Sequence, residues 1–125
     1  MTSEFVHLHN HSDYSLLDGA QQVQQLVNTI DDLNMDSLAL TEHGNMFSVV
    51  PFYQKAKKAG INPIIGCETY VAVGSRHDKK LQPGGGWGNN HLILLVQNQI
   101  GYENLMYLSS KAFIEGMYYF PRINT

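Results

Sequence analysis

Short apolar runs alternate with helix-spaced apolar stripes along this chain, and that alternation restricts its fold more than any other feature. Residues 5–9, 37–41, 61–73 and 91–96 have the length and character of strands. Between them, Val23, Leu26, Val27, Ile30 and Leu33 recur at helical spacing and predict a helix over residues 20–33. A second helix is predicted over residues 47–59, closed by Lys57, Lys58 and Gly60. A third spans residues 100–113, with Leu105, Leu108 and Phe113 on its inner side. The order β-α-β-α-β-loop-β-α calls for an α/β fold of mostly parallel strands joined by crossover helices. The run 91–96 is apolar on both faces, as in a parallel strand covered on both sides.

Residues 12–19 read as a loop with Asp18-Gly19 at its turn. A longer loop covers residues 74–90 and contains Gln82-Pro83-Gly84-Gly85-Gly86-Trp87-Gly88. Its glycines precede a strand rather than open a helix, so they read as a flexible connection and not a phosphate cradle. Tyr118-Tyr119-Phe120-Pro121 is expected to begin one more element that the chain does not finish. The 125 residues match one ordinary domain. A net charge of −3 with scattered lysines and arginines lacks the basic footprint of a free-standing duplex-DNA binder. The single Cys67 allows no intrachain disulfide and no zinc-finger spacing, and suits a reducing cytosol. No signal-peptide region follows Met1, and no apolar run is long enough for a bilayer. The expectation is a cytoplasmic chain without a membrane partner.

The chemistry-bearing residues fall at strand ends. His7, His9 and His11 alternate, which in a strand projects all of them to one face, with Val6 and Leu8 on the other. One such histidine would ordinarily be a solvated edge residue. Alternation with acidic and histidine partners elsewhere points to a metal. Asp18 follows the first run, Glu42 and His43 end the second, Glu68 lies within the third, and His91 opens the fourth. Function in β/α folds gathers at the carboxyl ends of strands. His91 fits only if its strand begins earlier or the barrel is irregular. Taken singly, Asp18 could cap a helix, His43 could be a turn residue, and His91 a core histidine. Glu68 is harder to place, because a carboxylate between Ile64-Ile65 and Tyr70-Val71 needs a cation or hydrogen bonds. His77 sits in the charged stretch Arg76-His77-Asp78-Lys79-Lys80 and reads as solvated. Bridging carboxylates with imidazoles suit a multinuclear Zn, Mn or Fe site.

His9-x-His11-Ser12, Leu40-Thr41-Glu42-His43-Gly44, Gly66-x-Glu68 and His91 resemble the ordered motifs of the PHP (polymerase and histidinol phosphatase) superfamily. The flanks Phe5-Val6-His7-Leu8-His9, Tyr14-Ser15-Leu16-Leu17-Asp18-Gly19-Ala20 and Gly60-Ile61-Asn62-Pro63-Ile64-Ile65-Gly66-Cys67-Glu68 are similar to its bacterial DNA polymerase III alpha-subunit branch. So are Gly101-Tyr102-x-Asn104-Leu105 and Gly116-Met117-Tyr118-Tyr119. The resemblance implies a distorted β/α barrel with a metal cluster at one mouth. It implies His9, His11, Asp18, His43, Glu68 and His91 as ligands, with no catalytic group separate from them. His7 and Glu42 stand where the superfamily usually has Asp. The implied cofactors are divalent ions, Zn or Mn ahead of Fe or Mg. The implied activity of the domain is metal-dependent phosphoester hydrolysis, as 3′-5′ exonuclease proofreading or pyrophosphate removal. The parent would be a DNA-directed DNA polymerase of DNA replication, a nucleotidyltransferase. Its partners would be DNA, the proofreading exonuclease and the sliding clamp. Two alternatives are a free-standing phosphatase of the histidinol-phosphatase type and a non-catalytic scaffold that docks the exonuclease. Residues 1–125 would form the N-terminal portion of a PHP domain, ending before a late Asp-x-His pair and the polymerase modules. Alone, that portion is expected to be inactive, with open strand edges that favour self-association or marginal stability.

Overall fold

The computed structural model describes residues 5–16, 18–80 and 89–124. Helix α1 (Val23–Asp32) buries Val23, Leu26, Val27 and Ile30 of the expected stripe, whereas Leu33 lies at its C-cap and is exposed. Helix α2 (Val49–Lys58) buries Val49, Phe52 and Ala56, and Lys55, Lys57 and Lys58 fill its last turn, where cations suit the helix dipole. Strand β1 (Ser37–Leu40) lies beneath both helices. Leu38, Leu40, Ile61 and Ile65 close the core against them, and Phe52 and Val27 within it are fully buried.

Strand β2 (Asn62–Ala72) is the hub of the sheet. Its first residues pair parallel with β1, from Ser37 opposite Asn62 to Leu40 opposite Ile65. Its later residues pair antiparallel with β3 (Asn89–Leu95), placing Tyr70 opposite His91 and Glu68 opposite Ile93. Strand β4 (Arg122–Ile123) pairs parallel with β2 at Tyr70 and Val71, so the tail that begins at Tyr118 does form a further element. Helix α3 (Gln99–Ile114) separates β3 from β4, and the Asn98 side chain caps it by accepting the Gly101 N–H at 2.9 Å.

Several expectations change. Residues 5–9 form no strand. The segment runs beside β1, where the Ala39 N–H donates to the His7 carbonyl at 3.0 Å and the Thr41 N–H to the Asn10 carbonyl at 2.9 Å. Phe5 and Leu8 are exposed, so the run is not buried. Residues 91–96 do not form a parallel strand covered on both faces. That strand starts at Asn89, runs antiparallel and leaves Leu92 and Leu95 exposed. Apolar composition does not encode strand direction, and the long preceding loop permits either. On α3 the buried residues are Leu105 and Ala112, while Phe113 is exposed and lies against Phe47. The glycine run at residues 84–86 lies outside the described residues.

Candidate metal centre

The site grows from the carboxyl ends of β1 and β2. After Leu40 the chain continues beside β2, so His43 bridges Glu68 in parallel pairing and the Gly44 N–H donates to the Glu68 carbonyl at 2.8 Å. Gly44 has φ +62°, and a Cβ there would lie 2.8 Å from the Tyr70 ring and from Pro121. Glycine is therefore required where the chain turns away from His43. The loop before α1 closes as tightly. The Asp13 N–H donates to the Gln21 carbonyl at 2.9 Å, and a Cβ on Gly19 would fall 1.6 Å from the Ser12 carbonyl oxygen. That closure brings Asp18 back to His43.

Glu68 forms the floor, with its residue only 4 % exposed. Its Oε2 lies 2.6 Å from His9 Nε2, 3.0 Å from His11 Nε2 and 3.5 Å from His43 Nδ1. Its Oε1 is bonded to His91 Nδ1. His43 Nε2 lies 2.6 Å from Asp18 Oδ2. A carboxylate only accepts, so that imidazole nitrogen donates, and His43 Nδ1 is buried with no hydrogen-bond partner. The His11 and His43 rings stack at 4.0 Å, and His9 Nε2 lies 3.1 Å from His11 Nε2. Two sets of donor atoms, His9–His11–Glu68 and His43–Glu68–His91, each lie within 4.8 Å of one another and could hold a metal ion.

The electrostatics follow the geometry. Burial pushes the Glu68 carboxyl up, but hydrogen bonds from His9 and His91 and the charge of His43 outweigh it and hold it below the usual range. Burial, then the neighbouring His43, lowers His11 below an ordinary histidine. That favours the neutral, ligand-competent ring. Burial and the charge of Glu68 raise the Tyr70 phenol. Burial pushes the Cys67 thiol, directly beside the site in sequence, up to about 12, so it is held as an inert thiol.

Every residue expected at the site on the strength of its motif is brought together there: His9, His11, Asp18, His43, Glu68 and His91. His91 reaches it because β3 is antiparallel, which puts the start of that strand beside the end of β2. His7 does not join. Its ring packs edge-on against Phe5 at 4.8 Å. His77 is exposed and lies 3.8 Å from Glu115 Oε2, away from the site. Sequence reading missed two contributors. Tyr70 sits edge-on to His91 at 5.0 Å and stacks on His43 at 6.2 Å. Its position two residues beyond Glu68 on the same strand face is the signal that points to it. Ser15 accepts the His43 N–H at 3.1 Å and lies 3.4 Å from His11 Nδ1. No periodicity marks it.

Among the described residues no helix is long and apolar enough to cross a membrane. The chain matches the PHP domain family over residues 7–125. It is 52 % identical over 122 residues to the DNA polymerase III subunit alpha of Borreliella burgdorferi, covering 98 % of this chain and 10 % of that one. It is 55 % identical over 120 residues to that of Treponema pallidum, covering 96 % and 10 %. The chain thus spans about a tenth of the length of these curated relatives. Among solved structures, an amidohydrolase from Chromobacterium violaceum superposes with a TM-score of 0.55 at 22 % identity, covering 85 % of this chain and 34 % of that one. A proposed metal-dependent phosphoesterase from Bifidobacterium adolescentis superposes with a TM-score of 0.54 at 13 % identity, covering 89 % and 35 %. These likenesses agree with a mixed α/β fold that forms part of a distorted β/α barrel. With the family matched from His7 to its end, this chain belongs to the PHP domain family.

Proposed function

We propose that His9, His11, Asp18, His43, Glu68 and His91 hold divalent metal ions, and that their domain hydrolyses phosphoesters within a bacterial replicative DNA polymerase. The carrying observation is the crowding of His9, His11 and His43 nitrogens onto Glu68 Oε2. One carboxylate oxygen has two lone pairs, and a neutral imidazole has one N–H. A neutral His43 gives its one N–H to Asp18, which leaves its Nδ1 lone pair aimed at the same oxygen with no partner. Lone pairs converging on a buried anion fit a cation between them. The mixed nitrogen and oxygen donors suit Zn or Mn, with Fe or Mg as alternatives.

A divalent ion there supplies Lewis acidity toward a phosphoryl oxygen and activates water near neutral pH. The protein does the rest. Glu68 fixes the floor from a paired strand. Asp18 orients His43 through its Nε2, and the stacked His11 covers a face of its ring. His9, His91 and Asp18 all have half-exposed side chains, so a phosphoester approaches along that open side. In this reading the domain continues in a longer polypeptide, where later residues complete the coordination shells. The polymerase alpha relatives support a parent that acts on DNA; in this reading the parent works alongside a proofreading exonuclease and sliding clamp in the cytoplasm. The substrate of the PHP site would then be a DNA 3′ end or pyrophosphate.

The test is His9→Ala with His11→Ala in the full-length polypeptide. Elemental analysis should show a sharp loss of bound Zn or Mn, and hydrolysis of a model phosphodiester should fall with it. A folded double variant with undiminished metal would remove the ligand assignment.

A further inference from the structure

Glu42 is 1 % exposed, and its carboxylate is bonded to Ser12 and Ser15 rather than to a side chain of the ligand cluster. Its oxygens accept from the Ser12 N–H at 3.2 and 3.1 Å. The Ser12 hydroxyl donates to Oε1 and the Ser15 hydroxyl to Oε2. Ser12 and Ser15 are themselves buried. A buried carboxylate is costly, and one satisfied by hydroxyls rather than by a cation needs a reason.

The reason lies in the hydrogen-bond count at Ser15. A serine hydroxyl has one proton and two acceptor lone pairs. The proton goes to Glu42. One lone pair accepts the His43 backbone N–H at 3.1 Å. The other faces His11 Nδ1 at 3.4 Å. Only an N–H can satisfy that contact, so neutral His11 carries its proton on Nδ1 and its lone pair on Nε2. Nε2 is the nitrogen 3.0 Å from Glu68 Oε2 and 3.1 Å from His9 Nε2. Had Glu42 been unable to accept, the Ser15 proton would be free to donate to Nδ1, and His11 would present an N–H to the site.

We propose that Ser15, held by the buried Glu42 carboxylate, is a positioning residue that fixes His11 as the Nδ1–H tautomer and so aims its Nε2 lone pair at a metal. The purpose rests on the metal reading given above. The tautomer itself is a property of the metal-free chain. The same hydroxyl grips the backbone of His43, so one side chain sets two stacked ligands at once. Orienting partners behind a metal ligand commonly govern its affinity.

The tautomer is read directly in the full 125-residue chain labelled with 15N-histidine, by magic-angle-spinning NMR, which tolerates any association state. The sequence holds six histidines, and the His11 signals are assigned by their loss in His11→Gln. Cobalt(II) titration of the full-length polypeptide, followed by visible absorption, gives affinity and ligand geometry. The expected result is an Nδ1–H His11 in the wild type. Ser15→Ala should shift it toward Nε2–H and weaken cobalt binding by about 10- to 100-fold, the range of lost orienting contacts. Ser15→Thr keeps the hydroxyl and should restore both readouts. A loop-anchoring role alone would lower stability without moving the tautomer. An Nε2–H His11 in the wild type, or a folded Ser15→Ala chain with unchanged tautomer and affinity, overturns the proposal. The wild-type spectrum decides by itself if Ser15→Ala does not fold. A full-length wild type that takes up no cobalt overturns the metal reading and the purpose assigned here, whereas its cobalt uptake alongside an Nε2–H His11 overturns the tautomer device alone.

Discussion

Glu68 sits on the face of β2 where its neighbour two residues on is Tyr70, and it is held there by imidazoles rather than by lysine or arginine. Replacing it with Gln keeps the shape, removes the charge and puts an NH2 among nitrogens that already crowd one oxygen. Glu68→Gln in the full-length polypeptide should lose metal by more than the roughly 10- to 100-fold of second-sphere changes. Its phosphoester hydrolysis should collapse while circular dichroism stays that of the folded protein. A Gln variant that keeps metal and activity would make Glu68 a structural residue. Glu68 is legible in the sequence because an acidic residue interrupts an apolar strand. His9 and His11 are legible through alternation, but His7 shows the limit of that rule. Parity holds in a paired strand, and residues 5–9 are only an extended flank of β1. Ser15 is illegible because its role depends on a turn closing onto Glu42, 27 residues away.

At the scale of elements, α1 and α2 were readable because burial repeats every three or four residues along them, whereas α3 buries only Leu105 and Ala112. Val23, Leu26, Val27 and Ile30 all reach the core. Strand β3 was readable as a strand but not in its direction, which hydrogen-bond pairing sets and composition does not. The antiparallel direction is also what lets His91 act from a strand's beginning. Phe52 joins these elements. It is fully buried on α2 and belongs to the cluster of α1, β1 and β2 residues. Phe52→Ala should cost about 3–5 kcal/mol through lost burial and the cavity left behind. The check is the urea midpoint at unchanged m-value, because a shifted midpoint with constant slope reports stability alone. A cost below about 1 kcal/mol would mean that α2 is not locked onto β1 as described.

For the whole molecule, a second polar cluster fastens the far end of the sheet. Arg76 Nε and Nη2 reach Glu115 Oε2 at 3.0 and 2.5 Å, and Arg76 Nη1 reaches Asn124 Oδ1 at 2.6 Å. Lys111 pairs with the other Glu115 oxygen. Buried Arg122 of β4 donates to the Gly116, Arg76 and Asp78 carbonyls. The end of α3, the turn after β2 and β4 thus share one knot. Hydrogen bonds from Lys111 and Arg76 hold the Glu115 carboxyl down to about 2. Its ordinary value in an unfolded chain is about 4.3. Between those values the unfolded state binds more protons, so stability rises with pH there. Glu115 therefore contributes fully above the ordinary carboxylate range, and the contribution is lost as pH falls toward about 2. Glu68 is lowered in the same direction and adds to the same acid limb. Glu115→Gln separates the two, since it removes one titration and leaves the other. Melting temperature measured from pH 7 down to pH 2 should fall less steeply in Glu115→Gln than in the wild type. The difference should shrink in high salt, because the pair is reached by solvent and screening weakens it. Superimposable acid limbs at low salt would show that the knot orders the chain end without contributing to stability.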